Sequence, residues 1–251
     1  MVGELSFDTI LNTKLSNSLD RERNEKMGLF SKSEKKIDSK PVIVYWALHG
    51  RSNFAQALLL AGDVDFDLDT DTANNWGDHK ADSPFGQLPV MKHGDLTIAQ
   101  GGAINRYCAK LAGLYPTGAQ AAAICDMYIE ECMDIYNAIF KPKNAADPAA
   151  KKAAWKVVES EVLPLHFGML EKNLVKSKSV FLGGESPNAA DVTFWAVCHL
   201  YTKAGLNLEP ILEANPTLNN AFQETSKMGK LSSFPDSYGL YFTSDPNHAS
   251  F

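Results

Sequence analysis

The 251-residue sequence has no uncharged apolar run approaching the roughly 20 residues that cross a bilayer, which argues against a membrane span. It has no basic excess either. Lys and Arg number 24 against 30 Asp and Glu, the net charge is −6, and the basic residues are scattered. Such a chain repels a phosphate backbone, so no nucleic-acid partner is expected. Cysteine is scarce: Cys108, Cys125, Cys132 and Cys198 form no Cys-x-x-Cys pair and read as reduced, buried thiols of a reducing compartment. The six histidines are isolated and build no ligand constellation, so no metal site is expected. Residues 1–40 lack the apolar stretch of a secretory signal and are too acidic for a typical transit peptide. A cytoplasmic location is the expectation, with organelle targeting by this segment left open. What is present is ordinary globular material, 45% hydrophobic and 22% charged.

Residues 1–40 read as a polar extension, with a possible amphipathic turn of helix at Phe7, Ile10, Leu11 and Leu15. From Pro41 the pattern changes. Pro41–Trp46 is continuously apolar and predicts a buried strand. A helix from about Ser52 carries Phe54, Ala57, Leu58 and Ala61 on one face, with Gly62 in the left-handed stop position. Residues 63–69 alternate Asp with apolar residues, which predicts an edge strand with a solvated acidic face. Residues 70–86 read as irregular. Gln87–Lys92 and Leu96–Ile98 flank a His93-Gly94-Asp95 turn and predict a hairpin, with Pro89 requiring that its end be an edge or face something other than a strand. A helix from Gly101 follows, with Ile104, Tyr107, Cys108 and Leu111 facing inward and Gly113 closing it.

Beyond a linker at 114–119, strand patterns cease. The sequence predicts a long helix over Ala119–Phe140 and another from Asp147-Pro148 to about Lys176, kinked at Pro164. Asn188-Ala189-Ala190-Asp191 is a capping box opening an almost wholly apolar, hence central, helix. Two short helices follow, near 209–214 and 216–226, then an aromatic tail from 236 to 251. The organisation is α+β: a mixed sheet with helices over 41–113, then an all-α domain over 120–235.

Several motifs stand in order along this frame: Tyr45-Trp46-x-x-x-Gly50-Arg51, Trp76-x-x-x-Lys80, Pro84-Phe85-Gly86-Gln87-Leu88-Pro89-Val90, Gln100, and Phe181-Leu182-Gly183 before Asn188-x-x-Asp191. Each is weak alone. Together, residues 41 to about 235 resemble the cytosolic glutathione S-transferases, most closely their sigma-like, tyrosine-type group. The resemblance implies a thioredoxin-like first domain followed by a helical bundle, glutathione as co-substrate, a small hydrophobic electrophile as partner, and a homodimer. It also implies roles. Tyr45 is the hydroxyl that binds the glutathione sulfur, and Arg51 supports it. Trp76 and Lys80 grip the glycyl carboxylate. Gln87 and the backbone of Leu88, before a cis Pro89, meet the cysteinyl part. Gln100 and Gly101 at a helix N-terminus receive the γ-glutamyl carboxylate, and Asp126 reaches the glutamyl amine across the dimer. Asn188 and Asp191 only cap a helix.

The chemistry behind Tyr45 is general. A free thiol with a pKa of about 8.5 is only a few per cent ionised at pH 7, and a hydroxyl donating to the sulfur anion favours the charged form. The acceptor pocket is expected between the domains, lined by the Trp46–His49 loop, the Cys108 side of its helix and the long helices. Where the family carries serine after the glutamine, this chain has Gly101, so the amide survives and a hydroxyl donor is lost. Two other readings stay open: a non-catalytic interaction or assembly subunit of the same fold, and a glutathione-dependent prostaglandin-type isomerase.

Overall fold

The computed structural model describes residues 37–240. The chain divides into two units, residues 1–38 and Ser39–Phe251, and the fold is that of the second. The amphipathic turn near Phe7 and most of the aromatic tail lie outside the described residues. Among those described, no helix is long and apolar enough to cross a membrane, and no cluster of three or more His, Cys, Asp or Glu could hold a metal.

The chain begins with β1 (Val42–Val44), the short β2 (Leu48–His49), helix α1 (Asn53–Ala61) and β3 (Asp67–Asp69). The acidic alternation of 63–69 therefore forms a strand only at its end. The reason is local: the Val64 N–H still bonds the Leu59 carbonyl at 2.8 Å, which ties the chain to α1. Asp65 and Asp67 meet Lys230 and Lys40 at the surface. Gly62 is not left-handed, with φ −98°; Asp63 takes that conformation instead, with φ 54°. Glycine is required at 62 for another reason, since a Cβ there would lie 2.4 Å from that of Ala112.

The stretch expected to be irregular holds α2 (Thr70–Asn74), α3 (Trp76–His79) and a 3₁₀ turn (Lys80–Asp82). The Asp69 carboxylate caps α2 by accepting the Thr72 N–H at 2.9 Å. Then come the hairpin β4 (Val90–His93) and β5 (Leu96–Ala99) and helix α4 (Gly101–Leu111). The sheet order is β3-β1-β4-β5, with β1 parallel to β3 and antiparallel to β4, so the sheet is mixed and β3 is an edge, as expected. Of the two readings of Pro89 the second holds: it faces no strand, the ladder starting only at Val90. It precedes the internal strand β4, joined to Leu88 by a cis bond, so no ladder hydrogen bond is asked of it. On α4, Ile104 and Cys108 are buried, but Leu111 is exposed; Asn105 and Ala109 share the inner face instead.

The second half is helical: α5 (Ala119–Asn137), α6 (Phe140–Lys143), α7 (Pro148–Val157), α8 (Leu163–Ser177), α9 (Ala189–Lys203), α10 (Glu209–Glu213) and α11 (Pro216–Thr225). The single kinked helix read from 147 to 176 is two helices joined by a π turn over Val158–Val162. Pro164 has no N–H to give the carbonyl one turn back, and the backbone widens just before it. Helix α9 is buried on nearly every face and packs between α5 and α1. One continuous core runs from Ile43 and Phe54 through Tyr136 to Phe194 and Trp195. All four cysteines are free and lie in it, and burial pushes their thiols up, Cys125 to about 11. The last described element is β6 (Gly239–Leu240), which runs parallel to β2.

Candidate active site

Tyr45 directly follows β1, at the C-terminal edge of the sheet where α/β folds place their ligands. The ring is buried, 5% exposed, and the edge of the Trp46 indole packs on it with centroids 5.3 Å apart. Its hydroxyl oxygen accepts the Arg51 N–H at 3.3 Å. Gly50 makes this approach possible, because a Cβ at that position would lie 2.9 Å from the phenol oxygen. The exposed Arg51 lays its guanidinium over the rings of Tyr136 and Phe140, 5.6 and 5.2 Å from their centroids.

Beside this tyrosine lies a cavity of about 450 Å³, lined by Trp46, Arg51, Phe85, Gln87, Leu88, Pro89, Ala99, Gln100 and Gly101. The sequence-predicted Arg51, Gln87, Leu88, Pro89, Gln100 and Gly101 thus come together; Tyr45 is not in the lining and meets it through the ring of Trp46. Gln100 has φ 71° and ψ 116°, a conformation that costs a non-glycine residue about 1–3 kcal/mol and is characteristic of ligand-holding positions. It opens α4 with no side-chain cap, so the first amides of that helix head into the site with the positive end of its dipole. A Cβ at Gly101 would meet nothing within 4 Å, so the missing hydroxyl leaves open space.

Other expected residues lie outside the lining. Trp76 packs with Trp46 and Leu88 against Val44, Ala73, Val90 and Ala99, directly behind the cavity wall. The Lys80 alkyl chain covers Gly86, where an added Cβ would meet it at 3.2 Å. Asp126, on α5, accepts from Arg106 Nε at 2.9 Å and from the Tyr115 hydroxyl at 3.0 Å. Its neighbours have other partners, Glu130 with Arg106 at 2.6 Å and Glu131 with His166 at 2.7 Å. The acceptor lining differs from expectation at two places. His49 is 1% exposed, and Cys108 is wholly buried with its Sγ 3.9 Å from the Met91 sulfur. Phe85 was not singled out as a site residue, yet it lines the cavity at 65% exposure. An aromatic before Gly-Gln-Leu-Pro was the available signal.

A mixed four-stranded sheet with a cis-proline beside a strained helix start, sharing one core with an all-α half, is a thioredoxin-like domain joined to a helical domain. Residues 41–110 match the family model "Glutathione S-transferase, N-terminal domain" and residues 133–237 match "Glutathione S-transferase, C-terminal domain", together well over half of the chain. The chain belongs to the glutathione S-transferase family. It is similar to glutathione S-transferase P of Caenorhabditis elegans, 32% identical over 94 residues, 38% of this chain and 45% of that protein. With glutathione S-transferase P of Capra hircus it shares 29% identity over 153 residues, 59% of this chain and 70% of the relative. Its fold matches that of prostaglandin synthase D of Nilaparvata lugens at a TM-score of 0.65 and 21% identity, covering 78% of this chain and 96% of the other.

Proposed function

We propose that this protein is a cytoplasmic, homodimeric glutathione transferase that ionises the glutathione thiol beside Tyr45 and presents the thiolate to a small hydrophobic electrophile. The observation that carries this reading is the cavity itself, where the Leu88 backbone, Gln87, Arg51 and the uncapped start of α4 converge next to a buried phenol. A peptide ligand needs backbone partners, and Leu88 stands ahead of β4 where the ladder leaves its polar groups to a ligand. Its carboxylates need N–H groups and cations, which α4 and Arg51 supply. The phenol oxygen accepts from Arg51 N–H, and a hydroxyl that accepts is a better donor. For a dimer, the exposed apolar side chains Phe85, Ile124 and Met127 supply surface to cover.

The test is direct. The purified protein is expected to be retained on immobilised glutathione, to elute with free glutathione, and to conjugate an aromatic halide only when glutathione is present. Flow-through with no conjugation would leave a scaffold. A second expectation concerns Gly101. Because its Cβ position opens on empty space, Gly101→Ser is expected to fold and to restore a hydroxyl donor to an anionic ligand. A hydrogen bond to a charged group contributes about 1.5–3 kcal/mol, so glutathione should bind roughly tenfold more tightly by calorimetry.

A further inference from the structure

The loop between β1 and α1 carries the amide that touches the Tyr45 phenol, and a buried polar relay holds that loop. Ser52, Asn53 and Gln56, in the first turn of α1, are all wholly buried. Asn53 Oδ1 accepts the Gly50 N–H at 3.1 Å. An amide N–H can only donate, so this bond fixes which end of the Asn53 side chain is oxygen. The NH₂ end then faces His49 Nδ1, at 3.1 Å. Nδ1 must accept, and the proton of the neutral ring is on Nε2. That Nε2 is buried with no hydrogen-bond partner among the described residues.

The C-terminal segment closes over the other side. Gly239 N–H donates to the Ala47 carbonyl at 2.9 Å, and β6 runs alongside β2. The Tyr238 hydroxyl donates to Gln56 Oε1 at 2.9 Å, and Gln56 Nε2 donates to Ser52 Oγ at 2.8 Å. The rings of His199, Phe234 and Tyr238 pack around His49, with centroids 5.3 to 6.3 Å away.

We propose that His49 is a positioning residue for the Tyr45 hydroxyl: as the neutral Nε2–H ring it holds Asn53, Asn53 holds Gly50, and the Arg51 amide is thereby kept on the phenol oxygen. The catalytic consequence rests on the reading of Tyr45 given above. The relay has an acid limit built into it. A proton on Nδ1 sets donor against donor at Asn53, and turning Asn53 to suit it sets NH₂ against the Gly50 N–H. One bond is lost either way. The groups facing His49 are Asn53, His199 and Lys203 of α9, and Asp236 and Tyr238 of the C-terminal segment. Burial, aided by Lys203 and opposed by Asp236, holds His49 down at about 4; burial, His49 and Lys203 hold His199 at about 4. The folded state therefore resists protons that an opened chain accepts: its stability against opening falls as pH drops from about 6.5 toward 4, and the relay itself breaks as pH passes through about 4.

Nitrogen-15 NMR of the ligand-free wild-type protein tests the core of this without any mutation. His49 is expected as the Nε2–H tautomer at pH 7, and the Nδ1–H tautomer would overturn the relay. Two variants extend the test. His49→Phe fills the ring volume without an acceptor and should speed exchange of the Gly50 amide roughly tenfold. His49→Asn places an oxygen near the Nδ1 position and should keep exchange within about twofold of wild type. In conjugation assays His49→Phe should lower kcat roughly tenfold at nearly constant glutathione KM, with His49→Asn recovering most of it. Equal Gly50 exchange in all three proteins would overturn the proposal. Were Tyr45→Phe to conjugate as fast as wild type, the Tyr45 reading would fall, while tautomer and exchange would still judge the relay.

Discussion

Replacing Tyr45 with phenylalanine is expected to lower glutathione conjugation at pH 6.5 by about ten- to a hundredfold and to move the acid limb of the rate profile upward by about one to two pH units. The size follows from the bond removed. A hydrogen bond to an anionic acceptor contributes about 1.5–3 kcal/mol, and each pKa unit corresponds to about 1.4 kcal/mol. Below the shifted pKa the rate follows the thiolate fraction, so the deficit should narrow steadily as the pH is raised toward 9. That convergence separates ionisation from positioning, because a misplaced thiol loses rate equally at every pH. Retention on immobilised glutathione should survive, since Arg51, Gln87, Leu88, Gln100 and Gly101 remain in the lining to hold the peptide. Stability should drop by only about 1 kcal/mol, for the Arg51 N–H loses its acceptor at an exposed loop residue. An unchanged profile would remove the role assigned to the phenol.

How much of this was legible in the sequence depends on the reach of the interactions. The caps are local: Asp147 before Pro148 and Asn188 with Asp191 are written within four residues, and each forms as read. The two-domain architecture was carried by the change from strand to helix patterning, and the Leu88–Pro89 turn by motif order. Helices α2 and α3 were missed because they are four or five residues long and start on Asp69 and Asn75, residues equally at home in loops. The Gly62 error has a different origin. Glycine after a helix reads as a left-handed stop, whereas its reason is the distant Ala112, invisible at that range. The hardest case is the relay. Asn53 and Gln56 look like the solvent face of an amphipathic helix, and only the return of the chain at Tyr238 and Gly239 buries them.

The largest stability effect is expected at Asp191, which performs no chemistry. Its carboxylate, 2% exposed, accepts the N–H groups of Leu182, Gly183 and Asn188 at 2.8, 2.9 and 3.0 Å. Burial pushes it up to about 6 against the pull of those donors, so it is still mainly ionised at neutral pH. Alanine at 191 strands all three donors, one of them buried and two partly buried, at the start of the most buried helix. At about 1–3 kcal/mol for each unsatisfied group, the loss should reach at least about 3 kcal/mol, against a total stability of about 5–15. For a domain of this size that lowers Tm by about 10 °C or more in calorimetry. Asn188→Ala removes one capping acceptor, for Ala190 N–H, and should cost only about 1 kcal/mol. Because Asp191 touches no residue of the cavity, Asp191→Ala assayed well below its melting transition should keep near wild-type kcat and glutathione KM. A variant that melts normally would show that the loop before α9 finds other acceptors. One that folds but fails in catalysis would mean that α9 sets the geometry of α1, its packing neighbour, and through it the Tyr45 loop.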